Sequence, residues 1–257
     1  MKHHLYFDYG YDSSDQRKIT LIKQNHFDGV FLFWREYLDE VVADIRKAQL
    51  AIETLHLPFE NCNDLWLTKM TSSYWDLVHR GVEDAHRLDI PTVIFHVSST
   101  STPPEISDIG LKRFSELLKK CEVYRINLAL ENLRRLDYLD ALFAKFSSPY
   151  LKFCFDSGHA NAFTKNIEQF PWEKYQSYLH CLHLHDNNGL RDQHLPPFLG
   201  TINWTLLISN LKRCQYQGPL TVESVKHPSL DLTEEAFLEQ IKKAHVQMEN
   251  LWLGNEN

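Results

Sequence analysis

The sequence contains few cysteines and few glycines, and both shortages narrow the range of possible functions. Its five cysteines include no C-x-x-C pair, which argues against a disulfide framework and against a cysteine-based zinc site. Its nine glycines form no G-x-G-x-x-G or Walker-type loop after any predicted strand, which weakens the case for a nucleotide-binding fold. The cysteines are therefore expected to act as small core residues.

An excess of positive charge and a long apolar run are also missing. The 257 residues carry 27 basic and 34 acidic side chains, a net charge of −7, so the overall basic charge of a nucleic-acid-binding protein is absent. No apolar run approaches the roughly 18 residues of a membrane span, and the opening MKHHLYFDYG lacks the apolar stretch of a signal peptide. These absences predict a cytoplasmic protein with no membrane partner.

Strand and helix signals alternate along the whole sequence. Short runs rich in β-branched and aromatic residues alternate with amphipathic segments such as 38–50, 111–121 and 234–250. The eight predicted strands span residues 4–8, 29–34, 53–57, 92–97, 127–132, 151–156, 181–186 and 219–224. Several are apolar on both faces, as parallel strands covered by helices are. This pattern predicts an α/β protein, a single-domain (β/α)8 TIM barrel over residues 1–257, with a doubly wound open sheet as the alternative.

Histidine is abundant, with 14 residues, and several of them share one kind of position with acidic residues. Six successive predicted strands end near an imidazole or a carboxylate: His56, His96, Glu131, Asp156, His183 and Glu223. In a barrel these ends meet at one face, where buried like charges repel unless a cation compensates them. This combination of nitrogen and oxygen ligands predicts a divalent metal ion. Zinc or manganese is the first expectation, and magnesium and cobalt are the alternatives. Asp156 alone fits a helix N-cap equally well.

These residues carry a resemblance to the xylose-isomerase-like TIM-barrel superfamily, which contains endonuclease IV and many sugar isomerases and epimerases. The resemblance spans nearly the whole chain, and its segments are His56-Leu-Pro-Phe59, Phe95-His96, Leu130-Glu131-Asn132, Phe155-Asp156-Ser-Gly-His159, His183-Leu-His-Asp186, 192–197, 200–204 and Val222-Glu223. It implies central metal ligands at Glu131, Asp156, His183 and Glu223. The endonuclease IV branch implies further ligands at His56, His96, His159, Asp192 and His194, hence one to three ions per chain.

The first functional hypothesis is a metal-dependent isomerase or epimerase of a sugar or sugar phosphate. The resemblance implies that Glu131 and Glu223 flank the substrate and move its proton through an enediolate, while a metal polarises the carbonyl. A homodimer is a habit of the family. The candidate substrate-binding residues are His159, His185, Arg191, Trp34 and Phe59. Asp186 is expected to pair with a ligand histidine or with Arg191, whereas His79, His86 and His245 fall in predicted helices and are expected at the surface.

The second hypothesis is an endonuclease IV-like phosphodiesterase that acts at abasic DNA. All nine ligand positions support it, but the acidic net charge and two carboxylates in the loop at 59–64 oppose contact with a phosphate backbone. Three positions also depart from the endonuclease IV pattern: Gly158 replaces a Cys, His185 replaces an Asn, and His96-Val97-Ser98 replaces His-Pro-Gly. A third possibility is a related barrel with dehydratase or sugar-binding function.

Overall fold

The structure is a computed structural model that describes residues 1–69, 72–164 and 167–255. Eight parallel strands form one sheet in the order β7-β6-β5-β4-β3-β2-β1-β8. The strands are β1 (His3–Tyr6), β2 (Gly29–Phe33), β3 (Ala51–His56), β4 (Thr92–Phe95), β5 (Asn127–Glu131), β6 (Leu151–Asp156), β7 (Leu179–His183) and β8 (Leu220–Val222). A parallel bridge between Leu184 and Val222 brings the two outer strands together. The predicted (β/α)8 barrel is confirmed as a single domain.

Helices cover the outside of the sheet in the connections between strands. They are α1 (Asp15–Gln24), α2 (Leu38–Lys47), α3 (Ser72–Arg87), α4 (Asp108–Tyr124), α5 (Asp137–Lys145), α6 (Ser157–Phe163), α7 (Trp172–Tyr175), α8 (Trp204–Arg213) and α9 (Glu234–Leu253). Several begin at a side chain that accepts a backbone N–H, as Ser14, Ser107 and Thr233 do for α1, α4 and α9. No helix in the described ranges is long and apolar enough to cross a membrane.

Buried polar groups fill the amino-terminal end of the barrel. His4 Nδ1 lies 2.9 Å from Glu53 Oε2, and the Thr221 hydroxyl donates to the same oxygen at 2.5 Å. The His4 ring packs closely against Gly29. A Cβ at this position would lie only 2.7 Å from His4 Nε2, so the glycine leaves room for the ring. A separate cluster of buried side chains is small or apolar, and Cys154 belongs to it. The remaining strand ends, at the carboxyl-terminal face, carry the predicted site.

One surface prediction is wrong, because His245 on α9 is fully buried. Its Nε2 lies 2.9 Å from the carbonyl oxygen of Leu220, and its ring stacks on His3 at 4.6 Å. Burial lowers the pKa of His245 to about 3, so the ring is neutral. The surface prediction relied only on the location of His245 in a helix. Its spacing to the buried Ile241 and Met248 places residue 245 on the inward face of that helix.

Candidate metal centre

Four buried side chains at the carboxyl ends of neighbouring strands form the centre of the site. Glu131, Asp156 and His183 are the last residues of β5, β6 and β7. Glu223 directly follows β8. Each offers one potential ligand atom, and these four atoms lie within 4.8 Å of one another. The structure therefore brings the predicted central ligand set together in one place.

A second group lies beside the first and shares Glu131 with it. His56 ends β3 and His96 follows β4, so both reach the same face of the barrel. Glu131 Oε2 lies 2.9 Å from His96 Nε2 and 3.2 Å from His56 Nε2, and the two nitrogens are 3.1 Å apart. Glu131 Oε1 faces His183 Nδ1 at 3.2 Å instead. The Glu131 carboxylate thus joins two clusters of potential metal ligands.

The other predicted ligands meet at Asp192, in the loop between β7 and α8. Asp192 Oδ2 lies 3.2 Å from His159 Nε2 and also 3.2 Å from His194 Nε2. His194 is fixed by its Nδ1, which lies 2.9 Å from the carbonyl oxygen of Glu223. His185, His194 and Glu223 also offer ligand atoms within 4.8 Å of one another. This end of the site therefore contains two sets of potential metal ligands, one around Asp192 and one around Glu223, and His194 belongs to both.

Burial and the neighbouring histidines have opposite effects on the pKa values of both buried glutamates. Burial by itself would raise the pKa of Glu131, but the charges of His183 and His96 hold it well below its usual range. The same opposition between burial and His183 leaves the pKa of Glu223 at about 2. Burial lowers the pKa of His96 to about 4, because the charged form of the ring is poorly solvated there.

Unpaired polar atoms show that the protein groups alone do not satisfy the site. His183 Nε2 and Asp192 Oδ1 are buried and have no hydrogen-bond partner within the described part of the chain. Each such group costs about 1–3 kcal/mol. Burial also raises the pKa of Asp156, despite the neighbouring His159 and His185. A divalent cation would remove these costs, and the mixed nitrogen and oxygen donors fit zinc, manganese or cobalt.

Asp156 holds the start of α6 as well as facing the site. Its Oδ1 accepts the His159 backbone N–H at 2.6 Å, which caps the helix. Its Oδ2 lies 3.1 Å from His185 Nε2. The N-cap expectation is confirmed: Oδ1 caps the helix, and Oδ2 contacts the His185 ring.

Asp186 anchors the loop that carries Asp192 and His194, a function that sequence analysis missed. Its carboxylate accepts the Asn187, Phe198 and Ile202 backbone N–H groups and the Trp204 indole N–H, over distances of 2.8–3.2 Å. Gly200 permits this approach because a Cβ there would lie 2.2 Å from Asp186 Oδ1. The expected pairing of Asp186 with a histidine or Arg191 is wrong, because loop amides occupy both oxygens.

His185 is buried against the metal-ligand candidates. Its ring stacks on His194 with centroids 4.0 Å apart and planes 9° apart, and it contacts Asp156 through Nε2. A Cβ added at Gly158 would lie 1.9 Å from His185 Cε1. The two departures from the endonuclease IV pattern at 158 and 185 are therefore linked, because the ring occupies the space that a side chain at 158 would need.

We expect Gly158→Ala to lower the free energy of unfolding by about 1–3 kcal/mol, the usual cost of overpacking. In a His185→Asn background the same change should cost less than half as much, because the shorter side chain vacates the contested space. Urea unfolding of the wild type, both single variants and the double variant measures this interaction. Additive costs would show that residue 158 and the ring of residue 185 do not compete.

Aromatic rings form a wall beside the histidines. Phe59 lies 5.4 Å from the His56 ring and 5.0 Å from the His96 ring, and Phe33 lies 4.5 Å from His56. A cavity of about 240 Å³ lies here, between the ends of β2 and β3. Tyr6, at the end of β1, extends the wall by a contact of 4.7 Å with Phe33. Sequence analysis missed Tyr6, because the first strand was predicted over residues 4–8 and its observed end is Tyr6.

Two predicted substrate-binding residues lie at the edge of this region. Trp34 lines the cavity, but its indole N–H donates to Asp84 of α3 at 2.9 Å, and Arg80 lies over its ring. Arg191 is exposed in the loop between β7 and α8. Both remain predicted substrate contacts, as do His159, His185 and Phe59.

The fold is a (β/α)8 barrel with ligand candidates at its strand ends, and sequence comparison gives the family. The xylose isomerase-like TIM barrel family matches residues 14–244, and the chain belongs to it. Among curated relatives, the uncharacterized protein y4fM of Sinorhizobium fredii is 25% identical over 189 residues, 68% of this chain and 60% of that protein. The uncharacterized protein MJ1311 of Methanocaldococcus jannaschii is 28% identical over 188 residues, 66% and 63% respectively. The chain thus matches these relatives over about three-fifths of their length.

Solved structures share the fold along nearly the whole chain. The D-psicose 3-epimerase of Clostridium cellulolyticum, solved with D-tagatose, has a TM-score of 0.78 at 15% identity and covers 98% of this chain and 99% of that one. The IolI protein, solved with a bound zinc atom, has a TM-score of 0.79 at 17% identity, with 98% and 99% coverage. At these identities the likeness shows the fold.

Proposed function

We propose that the protein is a metal-dependent isomerase or epimerase of a sugar or sugar phosphate. The observation that carries this proposal is a pair of buried glutamates that share one histidine neighbour. Glu131 Oε1 and Glu223 Oε2 lie 3.2 Å and 3.1 Å from the same nitrogen, His183 Nδ1. A carboxylate can act as general base and a protonated carboxyl group as general acid, so one glutamate of the pair can remove a proton and the other can return one.

The reaction proposed for these residues is a proton transfer next to a carbonyl group. One glutamate removes the proton from the carbon beside the substrate carbonyl, which leaves an enediolate. In an epimerase the other glutamate, which has taken up a proton from solvent beforehand, returns that proton to the opposite face of the same carbon. In an isomerase the first glutamate passes the proton it removed to the neighbouring carbon. Glu131, Asp156, His183 and Glu223 would hold a divalent cation that polarises the carbonyl. Phe59 and Phe33 would exclude water from one side of the sugar.

A test of the proposal is proton exchange between ketoses and solvent. Protein loaded with Mn²⁺, Co²⁺ or Zn²⁺ is incubated in D₂O with pentuloses, hexuloses and their phosphates, and NMR follows the products. We expect deuterium to enter a carbon beside the carbonyl group of at least one sugar, together with a new epimer or aldose. Absence of exchange across the panel, in protein shown to contain metal, would refute the proposal.

A phosphodiesterase of the endonuclease IV kind is the second candidate, and the cluster of His56, His96 and Glu131 favours it. Adjacent cations there would suit phosphodiester hydrolysis. Against it stands Glu60, which lines the cavity next to His56 and would repel a phosphate backbone. Nicking of duplex DNA with one abasic site, by the same metal-loaded preparations, decides between the candidates when compared with Glu223→Gln protein.

A further inference from the structure

An exposed arginine lies flat on an aromatic ring beside the metal-ligand candidates. Arg134 is three residues beyond Glu131, in the loop that joins β5 to α5 at the carboxyl-terminal face of the barrel. Its guanidinium carbon lies 3.6 Å from the centre of the Phe163 ring, which is stacking distance. The ring therefore holds the head group of a long side chain that would otherwise be free to move.

Phe163 connects this guanidinium to the site. It is the last residue of α6, four residues after His159, so both side chains lie on one face of the helix. Their rings stack with centroids 5.3 Å apart and planes 20° apart. His159 in turn contacts Asp192 and faces Glu131 Oε1 at 3.4 Å. The rings of Phe163 and His159 thus lie between the Arg134 guanidinium and Glu131, one of the proposed catalytic glutamates.

Arg134 differs in its partners from two other arginines of this face. Arg35 pairs with Asp8 and Asp15, and Arg135 pairs with Asp137. Across residues 1–69, 72–164 and 167–255, no ion pair of Arg134 is formed. A guanidinium held by its flat face keeps the N–H groups at its edge available, and these match the oxygens of a carboxylate or phosphate.

We propose that Arg134 binds an anionic substituent of the substrate, a phosphate or a carboxylate at the end of the sugar away from the reacting carbons. This inference rests on the proposed function, because it takes the reacting carbons to lie between Glu131 and Glu223. It makes the substrate a sugar phosphate or a sugar acid rather than a neutral sugar. Arg134 is thereby a specificity-determining residue, with no part in proton transfer.

Ligands that cannot react test this assignment without depending on catalysis. Isothermal titration calorimetry compares D-arabinitol, D-arabinitol 5-phosphate and D-arabinonate binding to Mn²⁺-loaded wild type, Arg134→Gln and Arg135→Gln. The last variant is the matched control, since it removes the same charge from the neighbouring residue. We expect wild type to bind one anionic ligand about 10- to 100-fold tighter than arabinitol, the usual range for charge-assisted hydrogen bonds. Arg134→Gln should lose most of that preference, and Arg135→Gln should keep it.

Each arm of the titration has a defined meaning. Preference for the phosphate identifies sugar phosphates as the substrate class, and preference for arabinonate identifies sugar acids. Equal affinity of wild type for all three ligands, no binding of any of them, or an unchanged preference in Arg134→Gln would overturn the assignment. Because none of these ligands turns over, failure of the exchange test in D₂O would leave the binding result standing and is thereby distinguished from failure of this inference.

Discussion

Replacing Glu223 by Gln is expected to lower kcat by about 10²–10⁴-fold, the usual contribution of a general acid or base. Gln has nearly the same shape as Glu but cannot accept the substrate proton. The substitution also removes one negative charge, so Glu131 becomes the remaining carboxylate neighbour of His183. Steady-state kinetics on the sugar found by the exchange test measures the effect. Circular dichroism then shows whether the variant is folded.

Glu53→Gln is the matched control for this substitution. Glu53 is also a glutamate inside the barrel, but it lies at the amino-terminal end, where it contacts His4 and Thr221. Its replacement should change stability and leave kcat within about twofold of wild type, because the opposite end of a TIM barrel takes no part in chemistry. Wild-type turnover by Glu223→Gln would remove the proposed mechanism.

Removal of bound metal is expected to lower the melting temperature by about 10 °C. An ion present at roughly 1,000 times its Kd stabilises the native state by about 4 kcal/mol, and a chain of this size changes its Tm by about 2–4 °C per kcal/mol. The physical reason is the set of buried carboxylates and imidazoles, which includes atoms, such as Asp192 Oδ1, that lack any hydrogen-bond partner in the described part of the chain. Differential scanning calorimetry with chelator, and after addition of Mn²⁺, Co²⁺ or Zn²⁺, measures this shift.

Asp156→Asn makes this second prediction specific to the site. Asn caps a helix as well as Asp does, so α6 should begin at the same residue. The variant loses a charged ligand, however, and we expect less than half of the wild-type increase in Tm on metal addition. Asp137→Asn, at the start of α5, is the control and should respond as the wild type does. The same response in all three proteins, or none in wild type, would contradict the predicted ligand set.

The positions of the strand-end residues were predictable from the sequence, because they follow from the local sequence pattern and from the symmetry of the barrel. All eight strands were found where predicted, with ends that differ by a few residues, and the nine predicted ligand residues lie in one connected cluster. A residue at the carboxyl end of a parallel barrel strand has only one face to reach. That geometric restriction makes His56 and Glu131 neighbours, 3.2 Å apart, although they lie 75 positions apart in sequence.

Loop and helix contacts were not predictable in the same way. The acceptance of four N–H groups by Asp186 depends on how the loop at 187–203 folds back, and no local pattern encodes that path. The stacking of Arg134 on Phe163 joins a loop to the end of a helix and has no spacing signal at all. His245 is an intermediate case, since its spacing to Ile241 held the necessary signal and the general expectation for helical histidines overrode it.

The seam between β7 and β8 has a consequence for how the protein folds. Strand β8 pairs with β1, whose residues lie more than 200 positions earlier, and among the described residues a bridge from Leu184, just after β7, to Val222 closes the other side. Such distant pairings form slowly, because a long loop must close before any contact stabilises it. The ligand candidates come from six strands on both sides of this seam, so high-affinity ion capture must follow ring closure. An ion would then act as a late clasp, which slows unfolding and leaves the folding rate unchanged.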